Sequence, residues 1–188
     1  MATPLTRDSV LAAARELIRD EGLESLSLRR LATVLGVTAP ALYAHIGSKQ
    51  GLLQGVAEGE FGSLMERFRA VTEATSDPME QIRGLSHAYV DYARANPQLF
   101  RTIFLFRPEL TAAPRGDELP LATAVFEFAS APVDDAIARG LIRRGDPLMT
   151  ALTLWTAVHG VVTVILAGPE FGTDTEDALL DSVVDTLL

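Results

Sequence analysis

The reading starts from Leu26-Ser27-Leu28-Arg29-Arg30-Leu31-Ala32-Thr33-Val34-Leu35-Gly36-Val37-Thr38-Ala39-Pro40-Ala41-Leu42-Tyr43-Ala44-His45-Ile46-Gly47-Ser48-Lys49. Ser27 can cap a short helix through Leu35, and Gly36 can take the left-handed turn that follows it. Thr38 can cap a second short helix through His45. Two short helices joined through Gly36-Val37 have the proportions of a helix-turn-helix. The first helix would bury Leu28, Leu31, Ala32 and Leu35. The second would turn Leu42 and Ile46 inward and leave Ala39, Pro40, Ala41, Tyr43 and Ala44 outside. Small side chains at its exposed end let a backbone approach a groove closely. Alanine methyls can touch thymine methyls, and a tyrosine hydroxyl can reach a phosphate.

Outward from this stretch the chain reads as all-helical, with about nine helices. Thr6 precedes a run with Val10, Ala13, Ala14, Leu17 and Ile18 on one face, ended by Gly22. Ser48 can cap a longer helix carrying Leu52, Leu53, Val56, Phe61, Leu64, Met65 and Phe68. Asp77-Pro78-Met79-Glu80, Asn96-Pro97 and Asp146-Pro147 each place a capping side chain before a proline at the first helical position. Thr173-Asp174-Thr175-Glu176 reads as a capping box, and Gly140 as the end of a helix through Phe126, Val133 and Ile137. Pro108, Pro114 and Gly116 predict a loop between about Arg107 and Asp117. The expected division is a DNA-binding domain over 1–53 and a helical body over 54–188.

Charge points to the same end of the chain. The whole chain carries −9, yet residues 1–50 hold +1 and residues 51–188 hold −10. Phosphate contact is therefore expected from the first fifty residues alone. With no cysteine, disulfides and thiol chemistry are excluded. Metal binding is not expected, since His87 and His159 lack an acid at metal spacing. Nor is a cofactor or an enzyme expected: there is no His beside an acid and no phosphate-cradling glycine loop. The start of the chain lacks the apolar run of a signal peptide, so a cytoplasmic location is expected. Leu148 to Ala167 is long and apolar enough to span a bilayer, but five polar residues interrupt it and it has no companion. The expectation is a helix buried on two sides, and no membrane.

The N-terminal residues resemble the DNA-binding domain of TetR/AcrR-family regulators. The resemblance is carried by Thr6, Val10, Ala13-Ala14, Leu17, Gly22, Leu26 to Ala32, Leu35-Gly36-Val37-Thr38, Leu42 to Lys49 and Leu52-Leu53, with Ile46 where phenylalanine is commoner. It implies a homodimer on a palindromic operator, usually a repressor released by a small ligand. It also implies operator contacts at Ser27, Arg29, Thr38, Ala39, Pro40, Ala41, Tyr43, His45 and Lys49. A narrower resemblance, in Ala88-Tyr89, Tyr92-Ala93, Asn96-Pro97, Phe100-Arg101, Phe104 and Trp155…His159-Gly160, is to a TetR subgroup with a Trp…His-Gly signature.

The last two helices are apolar around too much of their circumference for one core, so they are expected to pair with those of a second copy. Trp155, Val158, Val162, Ile165, Leu179, Val183 and Leu187 are the candidates for that interface. Candidate effector contacts are Tyr89, Tyr92, Phe100, Phe104, Phe126, Met149, Trp155 and His159, because an apolar cavity with a few polar groups is the usual small-molecule site. The competing expectation is a DNA-binding protein of the same fold controlled by a protein partner.

Overall fold

The computed structural model describes residues 4–105, 120–143 and 145–188. The loop expected between Arg107 and Asp117 lies outside these residues. Among them the chain forms nine α-helices and no strand. They are α1 (Arg7–Glu21), α2 (Leu28–Leu35), α3 (Ala39–Ile46), α4 (Lys49–Ala74), α5 (Pro78–Ala95), α6 (Pro97–Phe100), α7 (Pro120–Ala138), α8 (Pro147–Ala167) and α9 (Thr173–Leu187). A short 3₁₀ turn, Leu23–Ser25, follows α1, and a single wider turn, Arg101–Leu105, follows α6.

Most helix starts follow their capping residues. The Thr6 hydroxyl accepts the Ser9 N–H, and the Ser9 hydroxyl accepts the Thr6 N–H in return. Ser27 accepts the Arg30 N–H at 3.1 Å, Ser48 that of Gly51 at 2.9 Å, Asp77 that of Met79 at 2.8 Å and Asp146 that of Met149 at 3.0 Å. Three expectations fail. Thr38 and Asn96 occupy the cap positions of α3 and α6, but neither side chain makes a capping bond. The box at Thr173 does not form either. Gly172 takes the cap position at φ 81°, which draws Thr173 into the first helical turn, and its carbonyl accepts the N–H groups of Thr175 and Glu176.

The chain divides into two compact units. One contains the described residues up to Phe61 and those between Asn96 and Leu121. Here α1, α2 and α3 pack on one another, and α6 packs on α1. Val10, Ala14, Ile18, Leu31, Leu42 and Leu52 supply the fully buried centre. Leu28 and Leu35, expected inside, are only half-buried. At Gly55 of α4 the Leu11 side chain of α1 fills the space over the helix, since a Cβ there would stand 2.6 Å from Leu11 Cδ2. Glu60 is wholly buried and bonded to Arg15 across the same pair of helices.

The other unit contains residues 62–95 and those from Ala122 onward. Here α5, α8 and α9 pack together. Ile82, Leu85, Val90, Val158, Val161, Val162, Leu180 and Val184 form their core. On the flank, Arg83, His87 and Arg94 of α5 pair in turn with Asp185, Asp181 and the Glu176/Asp177 pair of α9. Residue 53 lies within α4, which carries the chain from the first unit into the second.

The expectation that α8 is buried on two sides is not met. Only 28% of its apolar window is buried. Ala151, Leu154, Val158, Val161 and Val162 face the core, while Leu148, Met149, Trp155 and Val164 remain exposed. Within the single chain α5 and α9 pack against α8, and Phe126 of α7 meets Trp155, which still stays exposed.

Candidate nucleic-acid interface

The turn between α2 and α3 is built from local backbone chemistry. Gly36 sits at φ 66° and ψ 30°, a region that costs an L side chain about 1–2 kcal/mol. That conformation lets the Val37 N–H return to the Ala32 carbonyl at 2.9 Å, closing α2 with a Schellman-type turn. Thr38 then runs extended into α3. Pro40 occupies the second helical position, where its missing N–H costs no intrahelical bond.

Helix α3 is held by two residues. Leu42 and Ile46 are buried, one turn apart, against α1 and α2. The opposite face is open. Tyr43 is 50% exposed, Pro40, Ala44 and Thr38 are exposed, and Ala39, Ala41 and His45 are half-buried. Ser27 and Arg29 are exposed at the start of α2, and Lys49 is half-buried at the start of α4. Arg30, next to Arg29, stays exposed to solvent and finds its partner outside its own helix. It reaches back to α1 and binds both carboxylate oxygens of Glu21, at 2.5 and 2.7 Å. The pair links α2 to α1 at the surface, and Arg29 and Arg30 are both exposed.

The eight aromatic, sulfur-bearing and polar side chains expected around a ligand separate into distinct groups. In the second unit, Tyr89, Phe126, Trp155 and His159 come together. Tyr89 Oη and His159 Nδ1 lie 2.9 Å apart, the Trp155 and His159 rings are 5.4 Å apart, and Phe126 meets Trp155 edge-on at 6.4 Å. Tyr92 is buried elsewhere in that unit, its ring facing the Arg67 guanidinium at 6.0 Å. Met149 is exposed on the first turn of α8. Phe100 and Phe104 belong to the first unit, stacked at 4.6 Å, with Phe61 edge-on to Phe104 at 5.0 Å. Of the proposed interface residues, Val158 and Val162 are core, whereas Trp155, Leu179 and Leu187 remain exposed.

Sequence reasoning missed two acids. Glu60 stands in the buried stripe Val56-Glu60-Leu64, one residue per turn, and that spacing alone marks it as an interior acid in need of a cation. Glu58 is half-buried, and its Oε1 is enclosed with no hydrogen-bond partner. Burial raises its proton affinity above the ordinary glutamate range, against the lowering effect of a bond from the Leu121 N–H. Nothing in the local sequence distinguishes Glu58 from a surface acid.

A three-helix unit that presents a short, small-residue helix beside a cationic rim, followed by a helical body, defines a DNA-binding transcriptional regulator. The chain belongs to the TetR family: residues 10–56 match the profile of the bacterial regulatory proteins of that family, and residues 82–187 match a tetracyclin repressor-like C-terminal domain. The chain is 27% identical over 180 residues to the HTH-type transcriptional regulator Rv0681 of Mycobacterium tuberculosis, covering 96% of this chain and 79% of the relative. It is 50% identical to the Escherichia coli tetracycline repressor protein class C over 54 residues, 29% of this chain and 25% of that protein. Among solved structures, a protein of unknown function from Rhodococcus sp. RHA1 superposes with a TM-score of 0.81 at 26% identity, covering 98% of this chain and 94% of that one.

Proposed function

We propose that the chain is a ligand-responsive repressor that binds a palindromic operator as a homodimer, with residues 1–53 reading DNA and residues 54–188 binding effector and partner. The observation that carries the reading is the α3 face. Tyr43 stands half-exposed on a helix whose two inward slots are already filled by Leu42 and Ile46, which leaves its hydroxyl no role in the core.

In this reading Thr38, Ala39, Pro40, Ala41, Tyr43 and His45 enter the major groove. Ser27, Arg29, Tyr43 and Lys49 bind phosphates on either side. Alanines at 39, 41 and 44 leave little hydrogen-bonded base reading, so specificity rests on methyl contacts and on DNA shape. The exposed apolar face of α8, with Leu179 and Leu187 of α9, supports a four-helix interface between two copies. Two recognition helices about 34 Å apart then meet successive major grooves. The effector acts by binding the DNA-free and DNA-bound forms with different affinities, without which it shifts nothing. The cluster Tyr89, Phe126, Trp155 and His159 supports an aromatic site in the second unit, with a polar group at the Tyr89–His159 bond.

The test is operator selection from random DNA, followed by release assays with a broad panel of metabolites. A palindromic site bound by a dimer and released by at least one small molecule is the expected result. Tight binding that no small molecule of any charge weakens overturns the ligand-responsive part.

A further inference from the structure

We infer that Arg7, the first residue of α1, holds a DNA phosphate beside the one proposed for Lys49. The inference rests on the DNA reading proposed for residues 1–53 and extends it to a helix which that reading leaves out. Its starting point is where the cations of the first unit go. Residues 1–50 hold six Lys/Arg. Arg15 bonds Glu60, Arg19 bonds Glu16 and Asp20, and Arg30 bonds Glu21. Those three charges are matched at contact distance, so they add little to the field a phosphate meets outside the unit. The other three are Arg7, Arg29 and Lys49. Arg29 and Lys49 stand near the starts of α2 and α4, where phosphate contact is proposed, and Arg7 is exposed at the start of α1.

The packing of α1 on α4 places Arg7 at the DNA end of both. Helix α4 begins at Lys49, directly after the Gly47-Ser48 link from α3, so its start adjoins the end of the reading helix. Leu11 covers Gly55, and about one turn further along each helix Arg15 bonds Glu60. Positions rise together on the two helices, which therefore run in the same direction. One turn back from Leu11 and Gly55, Arg7 stands about level with Gly51, roughly 3 Å of helix axis from Lys49. Its side chain crosses onto α4, with Nη2 3.1 Å from where a Cβ of Gly55 would stand. An arginine stem that lies along a neighbouring helix keeps its charged head in water. That head can donate two parallel N–H groups to one phosphate. The two helices also open alike, on a hydroxyl cap followed by a cation, Thr6-Arg7 and Ser48-Lys49. A cation in the first turn opposes the helix dipole in the free protein, and a bound phosphate relieves that opposition.

The experiment measures binding of the full-length protein to its selected operator and to random DNA of equal length, by fluorescence anisotropy from about 50 to about 200 mM salt. Arg7→Gln removes the charge and keeps most of the stem. It is expected to weaken both DNAs by the same factor and to lower the salt slope by about one unit per half-site. Over that salt range the variant dimer should then lose roughly tenfold less affinity than the wild type loses. Arg7→Lys should keep the wild-type slope. Arg7→Gln combined with Lys49→Ala should lower the slope by about two units per half-site, because each removes its own phosphate. Melting is followed by circular dichroism, and a change in the folded fraction shifts the apparent affinity without shifting the slope. A wild-type slope in Arg7→Gln overturns the inference. So does a slope that Arg7→Lys fails to keep, which would mark Arg7 as packing over Gly55 and no more. If Arg7→Gln leaves the slope alone while Lys49→Ala lowers it, this inference falls and the DNA reading stands. If Ala41→Glu and Lys49→Ala also bind like wild type, the reading itself falls.

Discussion

Replacing Ala41 with glutamate separates folding from DNA reading. Ala41 is the third residue of α3 and only half-buried, on the side away from Leu42 and Ile46. Folding should barely notice the change. Glutamate is a few tenths of a kcal/mol poorer than alanine as a helix former, and an acid in the first turn recovers about 0.3–1 kcal/mol from the helix dipole. DNA binding should suffer twice. A carboxylate about 7 Å from a phosphate is repelled by roughly 0.6 kcal/mol even at the dielectric constant of water. Several phosphates flank a groove, so charge alone costs about 1–2 kcal/mol per half-site. The longer side chain also removes the close approach that the alanine methyl allows, for at least about another 1 kcal/mol in lost base contact. Two half-sites bring the total to about 4–6 kcal/mol, a loss of three to four orders of magnitude in operator affinity. Tyr43→Phe calibrates the scale: one hydrogen bond per half-site costs about 1 kcal/mol, or roughly thirtyfold for the dimer. The assay is fluorescence anisotropy on the selected operator at fixed salt, with melting followed by circular dichroism. Ala41→Glu that melts like wild type and binds within about threefold of it would show that α3 is not the reading helix.

Lys49→Ala should weaken operator and random DNA alike and lower the salt slope by about one unit per half-site, which titration at several salt concentrations measures. Leu179→Glu places a charge on an exposed apolar position of α9, 38% accessible in the single chain, and should give monomers in sedimentation while melting stays two-state. An unchanged dimer would move the interface off this face. Gly55→Val should lower stability by about 1–3 kcal/mol in urea, because Leu11 of α1 already stands where the new side chain must go. For Glu58 the folded-state proton affinity is raised, so the folded chain holds its proton to higher pH than the unfolded chain does. Stability from this group is therefore full below the ordinary glutamate range and is lost as pH rises through the raised value. Melting temperatures of wild type and Glu58→Gln should diverge with rising pH, the variant becoming the more stable.

What the sequence determined by itself was local. Caps, prolines and glycines act within a few residues, so Thr6, Ser27, Gly36, Ser48, Asp77 and Asp146 mark helix ends that are legible without a fold. The inward pair Leu42 and Ile46 was equally legible, because a helix of eight residues has one apolar stripe. Thr38, Asn96 and Thr173 show the limit even of local signals: none of the three side chains makes the capping bond, and Gly172 takes the cap position of α9.

The tertiary structure decided whatever depends on which helix meets which. Arg30 belongs to Glu21 because α2 crosses α1, and Glu60 belongs to Arg15 because α4 does. Separations of nine and forty-five residues leave no periodic trace in a sequence. The candidate aromatic residues divided between two compact units for the same reason, since residue type records apolarity and not the neighbour that covers it. In α8 the sequence recorded a helix with apolar residues on both sides. Only the fold separated Val158 and Val162, which face the core, from Trp155 and Val164, which remain uncovered on the single chain.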